Sequence, residues 1–120
     1  MAVIEFDIDG TILKANQNFL ELMGYKLEEI AGENHRIFVS KDERNSEAYR
    51  NHWKELASGH AVRGDFKQIN KHGEEVWLKA SYSPVRNKSG AISKVMKIAY
   101  DITALKTSSK TKAEFASKVV

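Results

Sequence analysis

The stretch from Val62 to Ile102, VRGDFKQINKHGEEVWLKASYSPVRNKSGAISKVMKIAYDI, decides the fold. It divides into three strand-like runs, Val62 to Asn70, Glu75 to Val85 and Ile92 to Ile102. The links between them are Lys71-His72-Gly73 and Asn87-Lys88-Ser89-Gly90. Each link is short, polar and closed by glycine, which predicts antiparallel hairpins rather than long crossovers. Upstream, Tyr49, Trp53 and Leu56 recur at helical spacing between Ser46 and Gly59, giving one amphipathic helix whose apolar face must lie on a sheet. From Glu33 to Asn45 the chain is polar, a loop or broken helix anchored by Ile37, Phe38 and Val39. A short turn over Leu27 to Ala31 stops at Gly32. Asn16 caps a helix presenting Phe19, Leu20 and Met23, and Gly24 ends it. At the N-terminus Ile4, Phe6 and Ile8 alternate with acids up to Asp9-Gly10, and Ile12-Leu13 returns, a further hairpin. Two strands, a run of short helices and three long strands predict an α+β fold: a five-stranded antiparallel sheet with short helices packed on one face.

Composition narrows the function. With 120 residues, 42% of them hydrophobic, the chain builds one compact domain. Its 19 basic residues against 16 acidic ones are scattered, not drawn into the stripe of a nucleic-acid binder, so no nucleic-acid partner is expected. There is no cysteine, which excludes disulfides, thiolate metal sites and cysteine nucleophiles. No apolar run approaches the roughly 20 residues needed to span a bilayer, so a cytoplasmic domain without membrane contact is expected. No set of nucleophile, base and orienting group can be assembled, nor a metal cluster, and the expectation is a domain that is not an enzyme.

Two family resemblances bear on this reading. Phe6-Asp7-Ile8-Asp9-Gly10-Thr11 resembles the first motif of haloacid-dehalogenase-like phosphatases, in which the first aspartate attacks phosphate and the second handles the leaving-group proton. Those enzymes need a parallel sheet, a later lysine and a late acidic pair for magnesium, whereas this chain ends in antiparallel hairpins. The alternative is that Asp9-Gly10 makes a tight turn.

The second resemblance runs from about residue 3 to 103. Ile12-Leu13-Lys14-Ala15-Asn16 with Phe19, Gly24-Tyr25, Glu28-Glu29-Ile30 and Gly32 resembles the opening of a PAS domain. Lys71-His72-Gly73-Glu74-Glu75-Val76-Trp77-Leu78 resembles a later hairpin of such domains, and Asp101-Ile102-Thr103 the triplet that closes them. His35-Arg36, Ser46-Glu47, Tyr49-Arg50, Trp53 and Ala80-Ser81-Tyr82-Ser83-Pro84-Val85 are similar to the PAS modules of bacterial methyl-accepting chemotaxis and aerotaxis transducers. The resemblance implies a sensory domain over 1–103, a linker or the start of a signalling helix over 104–120, and an output domain of the same polypeptide beyond residue 120. An alternative is a ligand-free PAS module serving dimerisation or docking.

By position in the PAS pattern, Phe66 and Gln68, then Val76, Leu78 and Ala80, then Val95, Lys97 and Ala99 point at the helices. Trp77, Ile98 and Tyr100 lie on the other face, where a homodimer interface is expected. The resemblance implies a small-molecule ligand or cofactor bound by His35, Trp53, Phe66, Gln68, Leu78 and Lys97. FAD leads, sandwiched by Trp53, Phe66 and Leu78 with Gln68 at its polar edge. A b-type haem ligated by His35, in a loop beside the pocket, is the alternative, and an empty pocket the third case. Val39-Ser40-Lys41-Asp42 stands where flavin-binding aerotaxis transducers carry Arg-His-Pro-Asp, and Val62 where they carry tryptophan. The absence of cysteine excludes a flavin–cysteine adduct.

Overall fold

In a computed structural model, residues 1–106 are described. The strands are β1 (Ala2–Asp7), β2 (Ile12–Ala15), β3 (Val62–Ile69), β4 (Glu75–Arg86) and β5 (Ile92–Asp101). The helices between β2 and β3 are α1 (Gln17–Met23), α2 (Leu27–Ile30), α3 (Lys41–Arg44) and α4 (Glu47–Ala57), with a single 3-10 turn at His35–Phe38. The strands form one antiparallel sheet in the order β2-β1-β5-β4-β3. β2 and β3 are its two edges, so the chain linking them must cross the whole sheet. That crossing lays the helices between β2 and β3 on one face.

The local signals act as their chemistry requires. Asn16 Oδ1 accepts from the Phe19 amide at 3.0 Å, capping α1, and Gly24 ends that helix at φ 76°. Asn34, Ser40 and Ser46 cap the 3-10 turn, α3 and α4 in the same way. The polar segment before Asn45 is thus a broken helix, its turns separated by fresh caps. β1 stops at Asp7, one residue before the alternation suggests, because Asp7 to Gly10 form a tight turn closed by Gly10 N–H on the Asp7 carbonyl at 3.1 Å. Ile8 is therefore exposed.

Register assigns the two faces. Phe66 pairs with Leu78, Ala80 with Ala99, Tyr82 with Lys97 and Ile4 with Lys97, so these side chains share the inner face. Their core also takes Phe6, Phe19, Met23, Ile30, Phe38 and Leu56 from the hairpin and helices. The outer face carries Trp77, Ile98 and Tyr100 as expected, but among the charges of Arg63, Asp65, Lys67, Lys79 and Lys94. After β5 a helical turn at 103–106 folds back over this face: Lys106 Nζ lies 4.9 Å above the Trp77 ring and 3.1 Å from the Asp65 carboxylate. The expected linker over 104–120 lies, beyond Lys106, outside the described residues.

Candidate functional site

The hairpin turn that resembles a phosphatase motif is spent on structure. Asp7 Oδ1 accepts from the amides of Asp9 and Thr11 at 3.1 and 3.0 Å, and Asp9 Oδ1 accepts from the Thr11 amide and hydroxyl at 2.9 and 2.7 Å. The Gly10 carbonyl accepts from the His35 amide at 2.8 Å, and the Asp9 carbonyl from Asn34 Nδ2 at 3.0 Å. Gly10 has φ 92°, and a Cβ there would come within 3.3 Å of both Asn34 and Trp53. The turn thereby fixes the 3-10 segment and sends the His35 ring inward.

His35 does not sit in a flexible polar loop: it is 2% exposed. Both its ring nitrogens are engaged, Nδ1 with the Tyr49 hydroxyl at 2.8 Å and Nε2 with the Tyr82 hydroxyl at 2.9 Å. Phe6, Phe38 and Trp53 surround it edge-on at centroid distances of 5.2 to 5.8 Å. Burial, reinforced by the Lys97 and His52 charges, pushes its pKa well below 6.5, so it is neutral at pH 7 and has one N–H. That N–H donates to one tyrosine oxygen, and the other tyrosine donates its O–H to the bare nitrogen. In either tautomer one phenolic proton is left over, seeking an acceptor.

Tyr49, His52, His35, Phe66, Gln68 and Tyr82 surround a cavity of about 170 Å³. His52 stands edge-on to the Tyr82 ring at 4.5 Å, its Nε2 is buried without a partner, and burial lowers its pKa to about 4. Behind Gln68, Lys97 Nζ donates to Oε1 at 3.1 Å and lies 5.0 Å over the Tyr82 ring. Burial alone lowers Lys97 from 10.5 to about 7.

Of the six residues expected to bind a ligand, His35, Phe66 and Gln68 line this cavity. Lys97 does not line it and reaches it through Gln68 and the Tyr82 ring. Leu78 is closed into the core and does not line it. Trp53 does not face Phe66 across a gap: His52 packs on both rings, at 5.6 and 5.7 Å, and Trp53 lines a separate surface cleft. Tyr82 and Tyr49 are site residues that the sequence pattern does not single out. Extending the alternation of Val76, Leu78 and Ala80 by one step reaches Tyr82, and Tyr49 shares the helical face of His52 and Trp53.

The match to the PAS fold family spans residues 12–99. This chain belongs to that family. It is 45% identical over 103 residues to the biofilm dispersion protein BdlA of Pseudomonas aeruginosa, covering 86% of this chain and 25% of that one. It is 30% identical over 92 residues to the aerotaxis receptor of Escherichia coli, covering 77% of this chain and 18% of the receptor. Among solved structures, an RNA-binding light-oxygen-voltage receptor superposes with a TM-score of 0.76 at 27% identity, over 97% of this chain and 33% of that one. The chain thus spans a quarter or less of the curated relatives it matches. The PAS chain is a sensory-type domain, related to a receptor and to a biofilm dispersion protein. No helix among the described residues is long and apolar enough to cross a membrane.

Proposed function

We propose that this PAS domain is the sensory input module of a chemoreceptor-type protein, holding a small ligand in the cavity under α4 and passing its occupancy to an output segment after Thr103. The observation that carries the reading is the unfinished hydrogen bonding at the cavity: a surplus phenolic proton of the Tyr49–His35–Tyr82 chain and the unpartnered His52 Nε2. Such groups, left without partners, cost about 1–3 kcal/mol each. A ligand with a carbonyl or hydroxyl acceptor and an apolar body against Phe66 satisfies them.

Size limits that ligand. An apolar cavity of roughly 150 Å³ admits benzene, and drug-sized ligands occupy roughly 300–1,000 Å³. At about 170 Å³ the cavity takes a molecule of benzene size. The flavin ring of FAD does not fit the present packing, and Trp53 and Leu78 are turned away from it. An axial bond from His35 to haem iron requires breaking one of its two tyrosine bonds. Either cofactor therefore needs α3 and α4 displaced from the sheet.

Signal transfer runs along β5, which carries Lys97 beneath the cavity and ends in Asp101. Asp101 Oδ1 accepts from the Thr103 amide at 2.9 Å, and the Thr103 hydroxyl accepts from the Trp77 amide at 3.0 Å. A ligand that displaces Gln68 shifts Lys97 and with it this closing knot. The exposed Tyr100 beside Ile98 and Trp77 offers a homodimer contact, which Tyr100→Glu disrupts in sedimentation runs. The function itself is tested by the absorption spectrum of the purified protein and mass spectrometry of what denaturation releases. A colourless protein releasing a small acceptor-bearing compound is the expected result. A flavin or Soret band overturns the small-ligand reading, and a protein that releases nothing and shows no thermal shift with any small compound leaves only docking.

A further inference from the structure

A second concavity, of about 430 Å³, opens on the surface beside the hairpin turn and the start of α4, within the range of roughly 300–1,000 Å³ for small-molecule sites. Arg36, Arg44 and Arg50 all line it. Each is held by the chain it crosses: Arg36 Nε donates to Asn34 Oδ1 at 3.3 Å, Arg44 Nη2 approaches the Val39 carbonyl at 3.5 Å, and Arg50 Nη1 donates to the Asn45 carbonyl at 2.9 Å. One bond apiece leaves most of each five-donor fork free. None of the three forms an ion pair among the described residues, where every pair uses a lysine or a histidine.

Three guanidinium groups around one hollow repel one another, and an anion between them relieves that repulsion. The sole carboxylate in the lining is Asp9, whose Oδ1 accepts from Thr11 and whose charge feels Arg36, so it offsets one of the three cations and the wall keeps an excess of positive charge. The rest of the wall is Asn34 and Asn45 with two aromatic rings, Tyr49 and Trp53, the latter with a buried Nε1 that has no partner. Forked, permanently charged donors match phosphate oxygens, and rings beside them suit a planar heterocycle.

We propose that this arginine-lined cleft binds a phosphorylated small molecule of nucleotide size, its phosphates on Arg36, Arg44 and Arg50 and its ring on Trp53 and Tyr49. The cleft is separate from the cavity under α4 and stands whether or not that cavity holds a ligand. Tyr49 lines both, so occupancy of the cleft bears on the hydroxyl that meets His35.

The experiment is calorimetric titration of the full chain with ATP, GTP, adenosine and pyrophosphate at low and moderate salt. The expected result is one-to-one binding of a nucleoside triphosphate, no binding of adenosine, and about tenfold or greater weakening in R44Q/R50Q, as befits loss of forked phosphate contacts. R63Q removes an exposed arginine on the outer face of the sheet and is expected to leave affinity unchanged, and circular dichroism confirms that each variant is folded. Absence of nucleotide binding overturns the proposal, as does an R63Q loss equal to that of R44Q/R50Q, which marks diffuse charge attraction. Pyrophosphate binding as tightly as either nucleotide overturns the assignment of the ring to Trp53 and Tyr49.

Discussion

Lys97 Nζ donates to Gln68 Oε1 at 3.1 Å in the interior, both side chains being closed to solvent and no carboxylate among the described residues pairing with the ammonium. The hydrogen bond and the Tyr82 ring only partly replace the lost water, which is why the proton leaves near pH 7. In the unfolded chain the same lysine keeps its proton up to about pH 10.5. Between these values the unfolded state binds more protons, so stability rises with pH. His52 acts in the same direction from about pH 4 to 6.5. Tyr49, raised by burial from 10.0 to about 12, acts in the opposite sense, because above pH 10 the unfolded chain loses its proton first. Urea midpoints are expected to climb from acid pH to a maximum near pH 9 to 10 and then fall. Lys97→Met with Gln68→Leu removes the climb above pH 7, and a wild-type midpoint flat from neutrality to pH 9 sinks this account.

Asn16 joins three segments with one amide. Its Oδ1 accepts from both the Val3 and Phe19 amides at 3.0 Å, and its Nδ2 donates to the Met1 carbonyl at 3.0 Å. The residue is at once the cap of α1 and the clip that holds this helix on β1. Asn16→Ala strands two N–H groups and is expected to cost about 2–3 kcal/mol, more than a cap alone. Asn16→Asp keeps the accepting oxygen and is expected to lose less than half as much. Denaturant unfolding at constant m-value measures both, and equal losses contradict the double-acceptor role.

The sheet, the caps and the hairpins were legible because each is written in neighbouring residues: glycine at a positive φ, asparagine or serine ahead of an apolar run, alternation with period two. The inner-face set read from that alternation agrees with the burial of Val76, Leu78, Ala80, Val95, Lys97 and Ala99. The binding geometry was less legible, because it depends on contacts between residues far apart in the chain. His35 reads as a polar-loop residue beside Asn34 and Arg36. What makes it interior is the Asp9-Gly10 turn, which takes its backbone amide, and tyrosines 14 and 47 positions away, which take its ring. Trp53 lies on the correct helical face, yet a helix face is wide enough to serve two hollows, and periodicity does not say which.

The same ring makes a sharp test. With both nitrogens held by phenols and the ring closed to solvent, His35 is expected to stay neutral as pH falls through 6.5, the ordinary imidazole value. Imidazole resonances followed by NMR report this directly, His35 keeping a single protonated nitrogen where an ordinary imidazole gains a second. Tyr82→Phe removes the Nε2 partner and is expected to destabilise by about 1–2 kcal/mol. A His35 that titrates near 6.5 in the intact protein contradicts the neutral-ring network.

At the other end of the sheet, Thr103 ties the chain that leaves β5 to the edge of β4. The Trp77 amide donates to its hydroxyl, the Ile102 amide donates to the Trp77 carbonyl at 2.8 Å, and Lys106 lies over the indole on its way to Asp65. Trp77 is therefore held on both backbone groups by the segment that would carry a signal outward. Thr103→Val keeps the side-chain shape and removes the acceptor, leaving a half-buried N–H unpaired. The expected cost is about 1 kcal/mol, with a larger consequence locally. Amides of residues 102 to 106 exchange faster with solvent, and the fluorescence of Trp77, read in a Trp53→Phe background, shifts as the Lys106 cation withdraws. Thr103→Ser retains the hydroxyl and restores protection. If exchange at 102 to 106 is the same in the valine and serine variants, the knot does not couple the sheet to the chain leaving it, and signal transfer must exit the domain through another contact on the outer face.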